Sequence, residues 1–195
     1  MKQVLVQYAQ YNFWANKQLL AIALKFNEQQ QNEHIASSFS SVQATIVHLL
    51  DAESIWWQRL QLQEIVIAPS TTKTFTTPEA VQTLLAQSES WVKWVTAAKE
   101  VQLDHVFAYQ NSKKEQFKQP VWQMLLHLFN HGTYHRGQLV TLYNQLGVTK
   151  IPATDFIHWS RTKQITFLRT IDLYNLIFTK IDKLCFDGFG KLSYN

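Results

Sequence analysis

The sequence is poor in the residues that build disulfide frameworks and tight turns. Its 195 residues contain one cysteine, Cys185, with five glycines and four prolines. A single cysteine excludes an internal disulfide framework and is compatible with a reducing compartment. So few glycines and prolines leave little room for the many turns of a multi-stranded fold, which favours an all-α chain.

Long apolar runs are absent as well. No stretch approaches the roughly 18 consecutive apolar residues that indicate a membrane-spanning helix. The first eight residues lack the uninterrupted apolar segment of a signal peptide. We therefore expect a cytoplasmic protein without a membrane partner.

The net charge of +4 is concentrated near the C-terminus. Up to residue 160 the chain has 12 basic and 11 acidic residues, whereas residues 161–195 have six basic and three acidic ones. Proteins that bind nucleic acids usually carry a basic stripe or a recognisable motif, and this sequence has neither. We expect no nucleic-acid partner.

What the chain does contain is apolar residues at helical spacing. With 46% hydrophobic and 13% aromatic residues, 195 residues can bury one sizeable core. The periodicity predicts four long helices. The first covers about residues 2–26, and the second is capped by Ser40 or Ser41 and extends to about Leu62. The third opens with a capping box of Thr76 and Glu79 and continues through Ala98, and the fourth runs from Pro120 to a left-handed cap at Gly147.

Three connections separate these helices. Residues 27–38 read as a polar connection and residues 63–77 as a threonine-rich crossover. Residues 104–118 are typical of an irregular segment or a short hairpin. Beyond the fourth helix, residues 161–195 form a second region with an apolar helical face. We expect this tail to pack on the bundle, extend a dimer interface or cover a site entrance, with a disordered extension as the alternative.

The fourth helix carries three histidines at intervals of four residues, His127, His131 and His135. Residues at i and i+4 project from the same face of a helix, so His131 and His135 can chelate one ion. His127 is about 12 Å from His135 along the axis, too far to join them. It also lies farthest from the apolar stripe. The alternative for any single histidine is a core or surface side chain bonded to the backbone.

A third ligand has to come from another helix, and His48 is the best candidate. It lies on the flank of the buried face of the second helix, where a groove toward a neighbouring helix would open. Taken alone, its position is equally compatible with a surface residue. The remaining histidines lie in or beside loop-like sequence and have no partner at ligand spacing.

Three stretches of the sequence resemble the DinB family, the four-helix-bundle proteins also called DinB/YfiT-like metalloenzymes. They are residues 11–16, residues 48–53 with Trp56 following, and residues 130–138, of which the last is the most specific. Residues 146–155 also fit the family's ending. The resemblance covers roughly residues 1–160, which defines the first domain, and leaves residues 161–195 as an extension.

The resemblance implies an up-down-down-up four-helix bundle, often assembled as a homodimer. It also implies a divalent ion held by His48, His131 and His135. Family members with an assigned activity include S-transferases and isomerases that use low-molecular-weight thiols, although most members have no known substrate. A small-molecule substrate, including such a thiol, is therefore the expected partner.

Three imidazoles leave one position of a tetrahedral ion open, which is the pattern of catalytic sites, whereas structural zinc is usually closed by four protein ligands. Imidazole suits zinc, nickel, copper and iron, and we favour zinc or nickel. The sequence thus predicts a metal-dependent hydrolase or thiol S-transferase that activates water or a small thiol. The alternative is a non-catalytic helical bundle that serves as a metal-binding or protein-interaction module.

Four neighbouring residues are further candidates. Asp51 can orient a histidine or act as a base, or it is a solvated carboxylate. Tyr134 and Arg136 can bind a substrate oxygen, but Arg136 points away from the ligand face and can instead pair with an acid. Gly132 permits the close approach of a substrate or backbone, or simply tight helix packing.

Overall fold

The computed structural model describes residues 1–111 and 113–162. The chain divides into two compact units, Met1–Pro152 and Ala153–Asn195. The described residues of the first unit form six α-helices, one 3-10 helix (Pro69–Thr71) and two strands: α1 (Lys2–Ala23), α2 (Glu28–Asn32), α3 (Val42–Leu60), α4 (Thr77–Ala97), α5 (Glu100–Asp104), β1 (Val106–Gln110), β2 (Gln116–Pro120) and α6 (Val121–Gln145).

In the second unit, residues 156–162 are helical. The predicted apolar face of the tail and Cys185 lie outside the described residues, so the domain boundary at residue 160 stays a prediction. Within the described ranges, no helix is both long and apolar enough to cross a membrane.

The predicted helix caps are confirmed. The Ser41 hydroxyl accepts from the backbone of Ala44 at the start of α3, and Thr76 and Glu79 form a capping box at the start of α4. Gly147 ends α6 at φ +85°, a conformation that suits glycine. Its N–H donates to the carbonyl of Asn144, and that of Val148 donates to Tyr143. These two bonds are the Schellman arrangement of a helix C-terminus.

Two short helices depart from the prediction. The connection at residues 27–38 contains α2, which starts at a capping box formed by Asn27 and Gln30. α1 ends at Ala23 rather than near residue 26, and the Asn27 side chain then starts a new helix by accepting from the backbone N–H of Gln30. α5 lies between α4 and the segment predicted as irregular or hairpin. That segment forms an antiparallel hairpin in which Tyr109 pairs with Phe117.

The four long helices form an all-α bundle in which α1 and α3 each pack against α4 and α6. Two apolar clusters show the helix directions. One cluster gathers the start of α1, the end of α4 and the start of α6, including Leu5, Trp91, Val95, Val121 and Leu125. The other gathers the opposite ends with the start of α3, including Leu19, Val42, Ile46, Val81, Leu84 and Tyr143. The order is therefore up-down-down-up.

A layer of buried polar side chains separates the two clusters. Asn12 and Asn16 of α1 donate to the Glu53 carboxylate of α3 at 3.0 and 3.2 Å, and the Ser88 hydroxyl of α4 donates to it at 2.8 Å. Arg136 of α6 donates to the side-chain oxygens of both asparagines. This layer links all four long helices, and it fixes the height at which α3 and α6 face each other.

Candidate metal centre

The structure brings His48, His131 and His135 together between α3 and α6. Their Nε2 atoms are mutually close, with His48 at 3.1 Å from His131 and 3.2 Å from His135, and the last two at 3.0 Å from each other. Nitrogens bound about 2.0 to 2.1 Å from one ion, at tetrahedral to octahedral angles, lie about 2.8 to 3.4 Å apart. The three histidines could therefore hold a divalent metal ion.

Hydrogen bonding among the rings cannot account for this triangle. Each Nε2 atom carries either a proton or a lone pair, so it is either a donor or an acceptor. Among three atoms in mutual contact, at least two must therefore both be donors or both be acceptors. Two such atoms cannot form a hydrogen bond with each other. A cation removes this conflict, because three lone pairs can face it at once.

Protonation states also favour a cation. Burial lowers the pKa of His48 from 6.5 to about 4, helped by the nearby ring of His135. Burial and the charges of the neighbouring histidines lower the pKa of His131 to about 4, and burial lowers that of His135. All three rings are therefore neutral at pH 7, the form in which imidazole binds metals.

A glutamine fixes the orientation of the His135 ring. The Nδ1 atom of His135 donates to the Oε1 atom of Gln138 at 2.8 Å, which leaves the lone pair on Nε2 facing the other two histidines. The amide of Gln138 in turn donates to the Ser38 hydroxyl at 2.9 Å. Gln138 thus connects a candidate ligand with the loop between α2 and α3.

The same loop covers the histidines with an aromatic ring. Phe39 stacks on His48 with ring centroids 4.0 Å apart and meets His135 edge-on at 5.4 Å. Sequence reasoning missed both Phe39 and Gln138. A signal existed in each case, because Phe39 is a lone aromatic residue among four serines and Gln138 lies three residues after His135.

Asp51 and Tyr134 lie outside the triangle. The Asp51 carboxylate accepts from the backbone and the hydroxyl of Ser70, at 3.0 and 2.5 Å, and so anchors the 3-10 turn of the crossover, Pro69–Thr71. No hydrogen bond joins Asp51 to a histidine in the described part of the chain. Tyr134 is 61% exposed, with its ring edge-on to His135 at 4.9 Å.

Arg136 lies in the polar layer rather than on a substrate-accessible surface. It is 3% exposed and donates to the two asparagines of α1 and to Thr133. The suggestion that it binds a substrate oxygen is therefore not supported by its position. The alternative role of Arg136 was to pair with an acid. Glu53 is nearby, but Asn12 and Asn16 lie between its carboxylate and the guanidinium of Arg136.

His127 stays apart from the triangle, as its position on the helix predicts. Its ring centroid lies 6.0 Å from that of His131, and its ring meets Trp56 of α3 edge-on at 5.4 Å. Gly132 serves tight packing. A Cβ atom there would lie 2.7 Å from the Oδ1 of Asn12 and 2.9 Å from the Nη1 of Arg136.

Comparison with known proteins places the chain in a family. The model of the DinB family matches residues 1–166. The chain belongs to the DinB family. It is 25% identical over 154 residues to the protein DinB of Bacillus subtilis (strain 168), a match that covers 75% of this chain and 88% of the relative.

A solved structure shows the same fold. The DinB-like protein YjoA of Bacillus subtilis superposes with a TM-score of 0.56 at 16% identity, over 76% of this chain and 97% of that protein. The predicted DinB resemblance and the all-α bundle are thus confirmed. Family membership and the histidine triangle together fit a metal-binding DinB-family protein.

Proposed function

We propose that this DinB-family protein is a metal-dependent enzyme in which His48, His131 and His135 hold one divalent ion. The observation that carries the proposal is the triangle of Nε2 atoms 3.0 to 3.2 Å apart. Among the described residues, no further histidine, cysteine, aspartate or glutamate completes this group. Three protein ligands with an open position are typical of catalytic sites, whereas structural zinc takes four.

When bound, such an ion lowers the pKa of a water or thiol ligand, so that a nucleophile is available at neutral pH. The protein's own part is to hold the three rings neutral and aligned. Gln138 keeps the proton of His135 on Nδ1, and Phe39 shields the His48 face from solvent. We infer a hydrolase or a thiol S-transferase that acts on a small electrophile.

Zinc and nickel are the metals that we favour, because imidazole ligands suit both. The co-substrate of the transferase version is a low-molecular-weight thiol. We also propose a homodimer, which sedimentation analysis of the purified chain tests directly.

Metal analysis of protein purified without an affinity tag tests the metal site. We expect about one divalent ion per chain in the wild type and a loss of at least tenfold in His131→Ala or His48→Ala. His127→Ala is the matched control, since it removes a histidine one turn away on the same helix, and it should retain the metal. A wild type that is free of metal after zinc or nickel loading overturns the proposal.

Activity assays separate the enzyme from its alternatives. The metal-loaded protein is assayed with activated esters and with thiol acceptors such as chlorodinitrobenzene. Turnover that disappears in His131→Ala supports the enzyme. Stoichiometric metal without turnover favours a sensor or store, and metal-free protein of unchanged stability favours a protein-interaction module.

A further inference from the structure

Arg59, in the last turn of α3, carries a charge that nothing in the described part of the chain neutralises. Its guanidinium forms no hydrogen bond or ion pair with those residues, and its Nε atom is buried without a partner. Burial lowers its pKa, but a guanidinium stays charged at any physiological pH. An uncompensated charge of this kind is unfavourable in a partly buried position. An anionic ligand that contacts the terminal N–H groups would neutralise it.

Aromatic rings hold the guanidinium in place. Its central carbon lies 4.5 Å from the ring centroid of Trp56 and 5.2 Å from that of Tyr109. The Tyr109 hydroxyl donates to Gln119 at 2.7 Å, which fixes that ring in turn. These rings contact the guanidinium without occupying its hydrogen-bond donors, so its terminal N–H groups stay available, and such groups bind a carboxylate in a two-point fashion.

A cavity of about 610 Å³ opens beside Arg59, between α3, the crossover and the hairpin. This volume is in the range of small-molecule binding sites, about 300 to 1,000 Å³. Its lining combines apolar side chains with amides, including Ile55, Leu62, Val66, Gln63, Gln110 and Gln116. Glu64 also lines the cavity, yet it forms no ion pair with Arg59.

Ring contacts connect Arg59 with the histidine triangle. Trp56 touches the ring of His127 at 5.4 Å, and His127 lies 6.0 Å from His131. The charge of Arg59 contributes to the lowered pKa of His127, whose principal cause is burial. Trp56 and His127 therefore form a chain of ring contacts from Arg59 to the triangle, although neither residue lines the cavity.

We propose that this cavity binds a small organic acid, whose carboxylate pairs with Arg59 and whose flat unsaturated or aromatic body lies against Tyr109 and the apolar side chains of the lining. One guanidinium supplies a single positive charge, which matches a carboxylate better than a phosphate dianion. That this acid is also the substrate rests on the proposed function.

Binding of 2-naphthoate tests the site by isothermal titration calorimetry on the full chain. We expect wild-type protein to bind it, and Arg59→Met to weaken the affinity at least tenfold without lowering the thermal melting temperature. Arg59→Lys keeps the charge and loses the two-point geometry, so we expect an intermediate affinity. Lys25→Gln removes an exposed positive charge elsewhere and is the matched control. The neutral isostere 2-naphthamide and inorganic phosphate should bind at least tenfold more weakly than 2-naphthoate.

Three results would overturn the proposal: equal binding by wild type and Arg59→Met, equal weakening by Lys25→Gln, or equal affinity for 2-naphthamide. If Arg59→Met does not fold, the proposal is overturned when Arg59→Lys binds 2-naphthoate with the affinity of the wild type. The variant His131→Ala separates this site from the metal and should bind 2-naphthoate within twofold of wild type. Loss of binding there, with retention in Arg59→Met, would place the anion at the histidines and contradict the proposal. Failure of metal loading would overturn the proposed function alone.

Discussion

Arg136 and Asn12 meet over the Cα atom of Gly132. The Nη1 atom of Arg136 donates to the Oδ1 atom of Asn12 at 2.6 Å, and a Cβ atom on Gly132 would lie within 3 Å of both. This contact joins α6 to α1 at Gly132, which lies one residue after His131 and three residues before His135. The polar layer and the histidine triangle therefore share the same stretch of helix.

This relationship predicts the effect of an alanine at Gly132. The added methyl group has to displace a buried hydrogen bond, so we expect Gly132→Ala to lower the free energy of unfolding by about 1 to 3 kcal/mol. Gly137→Ala is the matched control on the same helix, because a Cβ there meets nothing within 4 Å. It should raise the free energy by about 0.5 to 1 kcal/mol. Urea denaturation measures both, and equal effects would contradict the packing argument.

The raised pKa of Glu53 predicts that the stability of the protein depends on pH. Burial raises its pKa from 4.5 to about 7, against the opposing hydrogen bonds from Ser88 and Asn12 and the charge of Arg136. Between these two pH values the folded chain keeps a proton that the unfolded chain has released. The contribution of Glu53 to stability therefore falls as pH rises from about 4.5 to about 7. Glu53→Gln keeps a neutral side chain in place and should remove this dependence.

The measurement is the difference in free energy of unfolding between wild type and Glu53→Gln at several pH values. We expect this difference to shift against the wild type by about 1 to 3 kcal/mol over the window and then level off. The histidines act in the opposite direction, since their lowered pKa values make stability fall as pH drops from 6.5 toward 4. They are present in both proteins and cancel. A difference that does not change with pH would mean that Glu53 stays charged.

Much of this architecture could be predicted from the sequence. Apolar spacing predicts the long helices, and the caps at Ser41, Thr76 and Gly147 follow from local rules that act within a few residues. The pairing of His131 with His135 is equally local, since helical geometry alone places them on one face. The DinB resemblance supplied the bundle order, which spacing alone does not determine.

Interactions between distant segments could not be predicted in this way. Asn12, Asn16, Glu53 and Ser88 are polar residues on helical faces, and only the assembled bundle shows that they satisfy one another. Arg136 was expected to point away from the ligand face, and it does so, but toward two asparagines more than a hundred residues away in sequence. Polar residues that pair across a core leave no periodic signal.

The hydrogen bond between His135 and Gln138 is expected to strengthen metal binding by the three histidines. The Gln138 carbonyl is the acceptor for the Nδ1 proton of His135. Mutation of such a partner typically lowers metal affinity by about 10- to 100-fold. We therefore expect Gln138→Leu to weaken zinc binding by a factor in that range, measured by competition with a chelating dye. Ser38→Ala removes the second bond of the Gln138 amide but keeps the acceptor, and should change affinity less than threefold.

The control for that experiment is Gln145→Leu, an exposed glutamine at the end of the same helix. Wild-type affinity is expected there. If Gln138→Leu also binds zinc as tightly as wild type, the orientation of His135 does not depend on this glutamine, and the ring must be held by its packing against Phe39 and Tyr134.

The lowered pKa values of the histidines predict that metal is retained in mild acid. A histidine with the ordinary pKa of 6.5 is about nine-tenths protonated at pH 5.5 and no longer binds metal well. With pKa values of about 4, His48 and His131 stay neutral at that pH. We expect the protein to keep its zinc after dialysis at pH 5.5 and to lose it near pH 4, with circular dichroism confirming that the helices persist. Loss with a midpoint above pH 6 would show that the rings are as accessible to protons as free imidazole.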